Sequence, residues 1–182
     1  MELSLTRPLC FFDLETTGVN VAKDRVVEIS ILKVFPNGNK ESKTWLVNPE
    51  MPIPPQTTAV HGITDEKVAN EPTFKQLSKD IYSMIKGSDL AGFNSDRFDI
   101  PLLAEEMLRA EIDVDFKKHL TVDVQTIFHK MEKRNLSAAY KFYCGKDLDN
   151  AHSAEADTNA TYEVLKSQIE KYDELENDVS KL

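Results

Sequence analysis

Alternation with period two marks the start of the chain, and a period near 3.6 marks most of the remainder. From Leu9 to Glu15, the residues Cys10, Phe12 and Leu14 fall on one face and Phe11, Asp13 and Glu15 on the other. The run stops at Thr16-Thr17-Gly18. This predicts a buried strand running into a turn. Val26 to Val34, β-branched and aliphatic, predicts a second strand. Asn37-Gly38 predicts a hairpin turn, and Thr44 to Val47 a third strand. The stretch from Pro49 to Thr64 carries prolines at 49, 52, 54 and 55 and predicts a loop.

Helical stripes then take over. Phe74, Leu77, Ile81, Met84 and Ile85 share one face, and Gly87 ends that helix. Ile100, Leu103, Ala104, Met107 and Leu108 form a second stripe, and Val124, Ile127, Phe128 and Met131 a third. Ala156, Ala160, Val164, Leu165, Ile169 and Tyr172 form the last and longest. Leu90 to Phe93 and Leu120 to Val122 read as short strands between them. The pattern predicts an α/β fold, with three antiparallel strands followed by parallel strands in a mixed sheet flanked by helices. No boundary interrupts residues 1–175, which read as a single domain with a charged tail at 176–182.

Composition narrows the classes. The 182 residues are 41% hydrophobic and 29% charged, enough for a core without disulfide or metal staples. Asp and Glu number 31 against 22 Lys and Arg, for a net charge of −9, so no basic footprint covers the whole chain. No apolar run reaches the roughly 20 residues of a membrane span, and residues 1–9 have no leader pattern. The two cysteines, Cys10 and Cys144, form no ligand motif. The expectation is a cytoplasmic protein with no membrane partner.

The chemistry lies in the acids. On a strand, Asp13 and Glu15 point to the same side about 6.5 Å apart. Two carboxylates at the end of an apolar strand are costly unless neutralised, and Mg²⁺ or Mn²⁺ would neutralise them. A solvated strand end is the bland alternative. In the segment 92–103, Asp99 directly precedes the second stripe as a first-turn acid, and Asp96 stands as an N-cap candidate. Ser153 is placed to cap the last helix. Asp157 lies on its inward stripe, and His152 approaches from the preceding loop. His119 and His129 read as structural. Four acids at a strand end and two helix starts, with a His that titrates near neutrality, form the parts list of a two-metal hydrolase.

With those residues in view, the chain resembles the DEDDh 3′→5′ exonuclease family. This ribonuclease H-like group includes the proofreading epsilon subunit of bacterial DNA polymerase III. Phe-Phe-Asp-Leu-Glu-Thr-Thr-Gly (11–18) resembles the first motif and Gly-Phe-Asn-Ser-Asp-Arg-Phe-Asp-Ile-Pro-Leu-Leu (92–103) the second. His152 with Asp157 resembles the third, and Val-His-Gly-Ile-Thr (60–64) a further recurrent segment. The resemblance spans roughly residues 8–170. It implies a ribonuclease H-like fold, with Asp13, Glu15, Asp99 and Asp157 holding two divalent cations, Mg²⁺ or Mn²⁺. His152 would be the general base. Leu14, Thr16 and Thr17 would hold the terminal nucleotide, with His61, Phe93 and Asn94 flanking its base or sugar. Nucleoside 5′-monophosphates would leave from a 3′ end. Asp96 adds an acid beside Asp99, and the fit of Phe98-Asp99 to the motif favours Asp99. The chain ends soon after the last stripe, so the polymerase-binding segment of the epsilon subunit is not expected.

The partner implied is nucleic acid with a free 3′ end. Single-stranded DNA is favoured over RNA, and a polymerase is the candidate protein partner. Acidity predicts short contacts near that end. The window 117–141 runs the other way, with Lys117, Lys118, Lys130, Lys133, Arg134 and Lys141 against Asp123 and Glu132. It reads either as a backbone track for a single strand or as a solvated helix face opposite the third stripe. Three alternatives compete. A haloacid-dehalogenase-type phosphatase needs an Asp where Glu15 stands, together with a later Lys and an acid pair. A non-catalytic binding module is disfavoured by the complete set of acids and His152. An exoribonuclease trimming short RNAs would carry the same catalytic set.

Overall fold

The computed structural model describes all residues from Met1 to Leu182 and resolves into two compact units, Met1–Thr126 and Ile127–Leu182. The first unit holds a five-stranded mixed sheet. β1 (Leu9–Thr16), β2 (Val26–Val34) and β3 (Lys40–Leu46) form an antiparallel meander. β4 (Asp89–Gly92) and β5 (Thr121–Asp123) add in parallel on the other side of β1, giving the order β3-β2-β1-β4-β5. β1 is therefore central, as an apolar strand with little tolerance for solvent must be. The meander and its switch to parallel strands match the fold class predicted from the sequence.

Pairing sets what each face carries. Phe12 faces Ile31 and Leu14 faces Ile29 across the β1–β2 ladder. These pack under helices α3 (Phe74–Ile85) and α4 (Ile100–Arg109), which supply Phe74, Leu77, Ile81, Leu102, Leu103 and Met107. α3 starts from a capping box, Thr73 accepting from the Gln76 N–H while the Gln76 side chain accepts from the Thr73 N–H. Lys86 caps its end and Gly87 follows at φ 71°, so the predicted stop holds. Truncating a side chain as buried as Phe74 to Ala would cost about 3–5 kcal/mol. The opposite face of the meander carries Phe11 against Leu32, Asp13 against Ser30, and Glu15 against Glu28. It is therefore apolar at the start of β1 and acidic at its end.

Several expectations need correction. The stretch 49–64 is not all loop: α1 (Pro55–His61) lies within it, starting at Pro55 with Pro54 as N-cap. Proline at the first helical position loses no hydrogen bond, so a proline cluster can begin a helix as well as prevent one. A short α2 (Asp65–Val68) follows, and Val27, Ile53, Ile63 and Val68 bury this segment in a small second cluster. Asp96 caps no helix. Residues Ser95–Asp99 form a π-helical turn whose N-cap is Asn94, and it runs directly into α4.

α5 (Val124–Met131) starts in the first unit and ends in the second. The second unit otherwise comprises α6 (Leu136–Cys144), which the stripes did not reveal, α7 (Ala154–Lys171), and a 3₁₀ turn at Val179–Lys181 in the charged tail. Ser153 sits extended before α7 but caps it without a side-chain hydrogen bond. No helix is long and apolar enough to cross a membrane.

Candidate active site

In the first unit the site is made by a strand that outruns its neighbour. β4 pairs with β1 only as far as Ala91 opposite Phe11. Beyond that point Asp13 and Glu15 keep β2 on one side and have the turn after β4 on the other. Gly92 brings that turn close. A Cβ there would lie 2.6 Å from the Ser95 Cβ and 3.3 Å from the Phe12 carbonyl oxygen, so no side chain fits without displacing the turn. Asn94 takes the left-handed conformation at φ 60° that the reversal needs, as Asn tolerates.

The turn is pinned from β5. The Asp123 carboxylate accepts from the backbone N–H groups of Asn94 (2.9 Å), Asp96 (3.2 Å) and Gln125 (3.0 Å). Burial pushes the Asp123 pKa up, but these N–H donors outweigh it and hold the acid ionised below the usual range. The sequence pattern gives Asp123 no role. Its only local signal is an acid at a strand end immediately before a helix.

The turn delivers Asp99, only 4% exposed, to the space beside Asp13 and Glu15. Its pKa is pushed up to about 7, first by burial and then by the charges of Asp13, Asp123 and Glu15. Partial burial also raises Asp13, against a hydrogen bond from the Leu14 N–H. Glu15 is raised by burial and by Asp13, against the opposing influence of His61. Asp13, Glu15 and Asp99 are therefore a mutually repelling set with no Lys or Arg ion pair among them. An oxygen-only donor set that lacks a countercharge suits a hard divalent cation. Asp13 raises the proton affinity of Glu15, and both raise that of Asp99, which suits such an ion, although no cluster of three or more His, Cys, Asp or Glu is drawn in tightly enough to hold one.

The rest of the first motif is a braced loop. Leu14, Thr16 and Thr17 are buried. The Thr16 hydroxyl donates to the Gly18 carbonyl (2.6 Å), and that of Thr17 to Asp24 (2.8 Å). Their hydroxyls are thus engaged internally. A Cβ at Gly18 would sit 2.6 Å from the Asp24 carboxylate, which would have to shift from its bond with Thr17. Arg25, at the loop's end, donates to Glu106 on α4, which also accepts from Arg109 at 2.6 Å. His61 ends α1, with Gly62 at φ 76° turning the chain back. Its Nδ1 accepts from the Ile63 N–H (3.1 Å), so by this network Nε2 carries the proton and donates to the Thr16 carbonyl (3.0 Å). His61 therefore holds the first-motif backbone with both ring nitrogens, while Phe93 remains 60% exposed.

In the second unit, His152 precedes α7 in a left-handed conformation (φ 75°), and its backbone N–H donates to the Asp157 carboxylate at 3.3 Å. Asp157 sits in the first turn of α7, half-buried, one turn before the buried Ala160. The His152 imidazole is exposed. The structure thus groups Asp13, Glu15 and Asp99 in the first unit and His152 with Asp157 in the second. His119 and His129 make structural bonds, to the Ser88 carbonyl and with Arg134 respectively.

Comparison with known proteins identifies the family and the fold. The RNase T family model, described as Exonuclease, matches residues 10–165. The DNA polymerase III subunit epsilon of Treponema pallidum is 30% identical over 87% of this chain and 74% of its own length. The 3′-5′ exonuclease DinG of Staphylococcus haemolyticus is 28% identical over 93% of this chain, which spans only 19% of that protein. Among solved structures, the zinc-bound E. coli exonuclease I complex with single-stranded DNA superposes with a TM-score of 0.63 at 19% identity. That match covers 92% of this chain and 41% of the other. A product-bound exonuclease I gives 0.62 at 17% identity, over 93% of this chain and 46% of the other. At these identities the structural matches establish the fold, which is that of exonuclease I.

Proposed function

The chain belongs to the exonuclease family, and on that premise we propose that it is a DEDDh-type, metal-dependent 3′→5′ exonuclease acting on single-stranded DNA. The observation that supports this reading is the exonuclease family match over residues 10–165, with Asp99 buried where the charges of Asp13 and Glu15 act on it. Residues 1–175 act as one exonuclease domain, with 176–182 as its tail. By the family resemblance, Asp13, Glu15, Asp99 and Asp157 would hold two Mg²⁺ or Mn²⁺ ions. Such ions would polarise the scissile phosphate and ease deprotonation of the attacking water.

The chain's own groups do the rest. The exposed imidazole of His152 takes the proton from water as the oxygen attacks phosphorus. The bond from phosphorus to the 3′ oxygen breaks. That oxygen takes a proton from solvent, so the shortened strand keeps a 3′-hydroxyl, and a nucleoside 5′-monophosphate leaves. Leu14, Thr16 and Thr17 present the first-motif backbone to the terminal nucleotide, and His61 fixes that backbone through the Thr16 carbonyl. Phe93 and Asn94 flank the base or sugar. Similarity to an epsilon subunit makes a polymerase the candidate protein partner, and the cytoplasm the place of action.

A gel time course tests the reading. Single-stranded DNA and RNA of one sequence, labelled at the 5′ end, are incubated with protein and Mg²⁺ or Mn²⁺, with EDTA and Asp13→Ala controls. The expected result is a ladder shortening stepwise from the 3′ end of DNA and lost in both controls. Preferential shortening of RNA would replace DNA with RNA as the substrate. Intact strands with folded protein would overturn the nuclease reading.

A further inference from the structure

We infer that Glu106 is a positioning residue: from inside α4 it ties down the loop that follows β1, and so sets Asp99 against Asp13 and Glu15. Its role rests on the nuclease reading above, while its geometry lies wholly within the first unit.

Glu106 is a charge in an apolar place. It is 1% exposed, on a helix whose other buried residues are Leu102, Leu103 and Met107. A carboxylate there is costly unless it is paired. Its partners come from two directions. Arg25 donates its Nε to Oε1, and Arg109, one turn further along α4, donates Nη1 to the same oxygen at 2.6 Å. Oε2 is buried without a hydrogen bond. A Leu or Met of similar volume would fill the position without that cost, so stability is a poor explanation for an acid here. What Glu106 connects is a better one.

The first thing it connects is the loop 17–25. Arg25 closes that loop: its carbonyl accepts from the Thr17 N–H (2.9 Å), and its own N–H donates to the Thr17 hydroxyl (3.0 Å). Thr17 stands two residues beyond Glu15. Arg109 reaches the same loop near its far end, donating Nη2 to the Ala22 carbonyl at 2.7 Å. Glu106 therefore grips the loop through two guanidinium groups. Arg25 also stands 4.0 Å from Glu50, a half-exposed contact of little weight.

The second thing is the start of α4. Asp99 has helical backbone angles, and Glu106 follows seven residues later. That spacing is close to two turns, about 10 Å of helix, and it puts both acids on one face. The consequences are opposite. At the start of the helix, the charges of Asp13 and Glu15 oppose that of Asp99, which pushes α4 away from the end of β1. Two turns on, Glu106 is drawn to Arg25. Apolar packing under α4 is not directional, whereas charge-assisted bonds to a guanidinium are. The grip of Glu106 on Arg25 thus opposes the repulsion and keeps the three acids facing one another before a cation arrives.

The test uses the full-length protein. Glu106→Gln keeps the shape and removes the charge. Arg25→Gln cuts the link from the other side and leaves Glu106 paired with Arg109, so it decides the matter if Glu106→Gln does not fold. Glu105→Gln is the control, the same change one residue earlier on α4 at a side chain with no ion pair. Calorimetry reads Mn²⁺ binding to the metal-free protein, amide hydrogen exchange in EDTA reads the loop, and a 5′-labelled single strand reads kcat and KM. Glu106→Gln should weaken Mn²⁺ binding and lower kcat, each on the order of 10-fold, with KM for the strand within about twofold. Exchange should quicken in the segment 17–25 and stay unchanged in α3. Arg25→Gln should act in the same direction. The double variant should be no worse than Glu106→Gln alone, because residues that act through one another do not add.

Mn²⁺ affinity and kcat matching the Glu105→Gln control would overturn the inference and leave the nuclease reading standing. So would losses that add in the double variant, or a lower melting temperature with kcat of the folded protein intact, which is the mark of a merely structural residue. A wild-type protein that cuts no strand would overturn the nuclease reading instead. Mn²⁺ binding and hydrogen exchange need no turnover and would still decide Glu106.

Discussion

Asp99 is the residue where fold and chemistry conflict most sharply. A buried carboxyl facing Asp13, Asp123 and Glu15 is a poor anion, and its pKa rises from the ordinary 3.8 to about 7. Because the folded state holds the proton more tightly than the unfolded chain, Asp99 costs no stability below about pH 4. Its cost grows as pH rises through 7. Asp99→Asn should therefore stabilise the metal-free protein on the order of 2–4 kcal/mol at pH 8 and leave it unchanged near pH 4. Urea denaturation at the two pH values, in EDTA, measures the difference; equal gains at both would mean the carboxyl is not confined among its neighbours. The same substitution removes a proposed metal ligand, so turnover should fall by at least about 100-fold. His152→Ala should separate the roles further. It should lower the rate on the order of 100-fold. Divalent-cation binding by calorimetry should persist, and its loss would make His152 a ligand.

The element that sets Asp99 is the π-helical turn Ser95–Asp99, and it is held by Gly92 beneath and Asp123 beside it. Gly92→Ala should push the turn away from β1. The expected cost is about 1–3 kcal/mol, with a parallel loss of kcat, since the clash falls on the Ser95 Cβ and cannot be relieved by a flexible side chain. Thermal melting and single-turnover rates check both; a wild-type rate would show that the turn does not position the acid. Much of the scaffold was legible in the sequence. Local alternation fixed β1 and the side taken by Asp13 and Glu15, and the second stripe placed Asp99 at the foot of α4. The rest depended on information no local window carries. Asp123 acts through backbone N–H groups about 30 residues away in sequence. The start of α1 lay inside a proline cluster. α6 has apolar and aromatic residues on most sides and no clear stripe. For α5 the stripe was visible but its burial was not, because periodicity shows which residues share a face and says nothing about what covers it.

At the scale of the molecule, a protein of net charge −9 that reads as a nuclease must manage a polyanion, and divalent cations offer the means. Two bound ions would bring +4 to the point where the carboxylates cluster and where a scissile phosphate must come. Their binding should couple to stability by mass action, about 2.7 kcal/mol at a hundredfold excess over Kd. For a chain of this size that is roughly 5–10 °C in Tm. The increment should also depend on pH. Near pH 5 Asp99 is largely protonated and a cation must displace its proton; at pH 8 Asp99 is largely ionised beside Asp13 and Glu15, so binding both gains a ligand and relieves repulsion. The Mg²⁺-induced rise in Tm should therefore be larger at pH 8 than at pH 5, and most of it should vanish in Asp13→Ala. Differential scanning calorimetry with and without Mg²⁺ at both pH values decides it. A rise independent of pH and of Asp13 would place the ion elsewhere on the acidic surface, and Asp99 would then lose its role as a ligand.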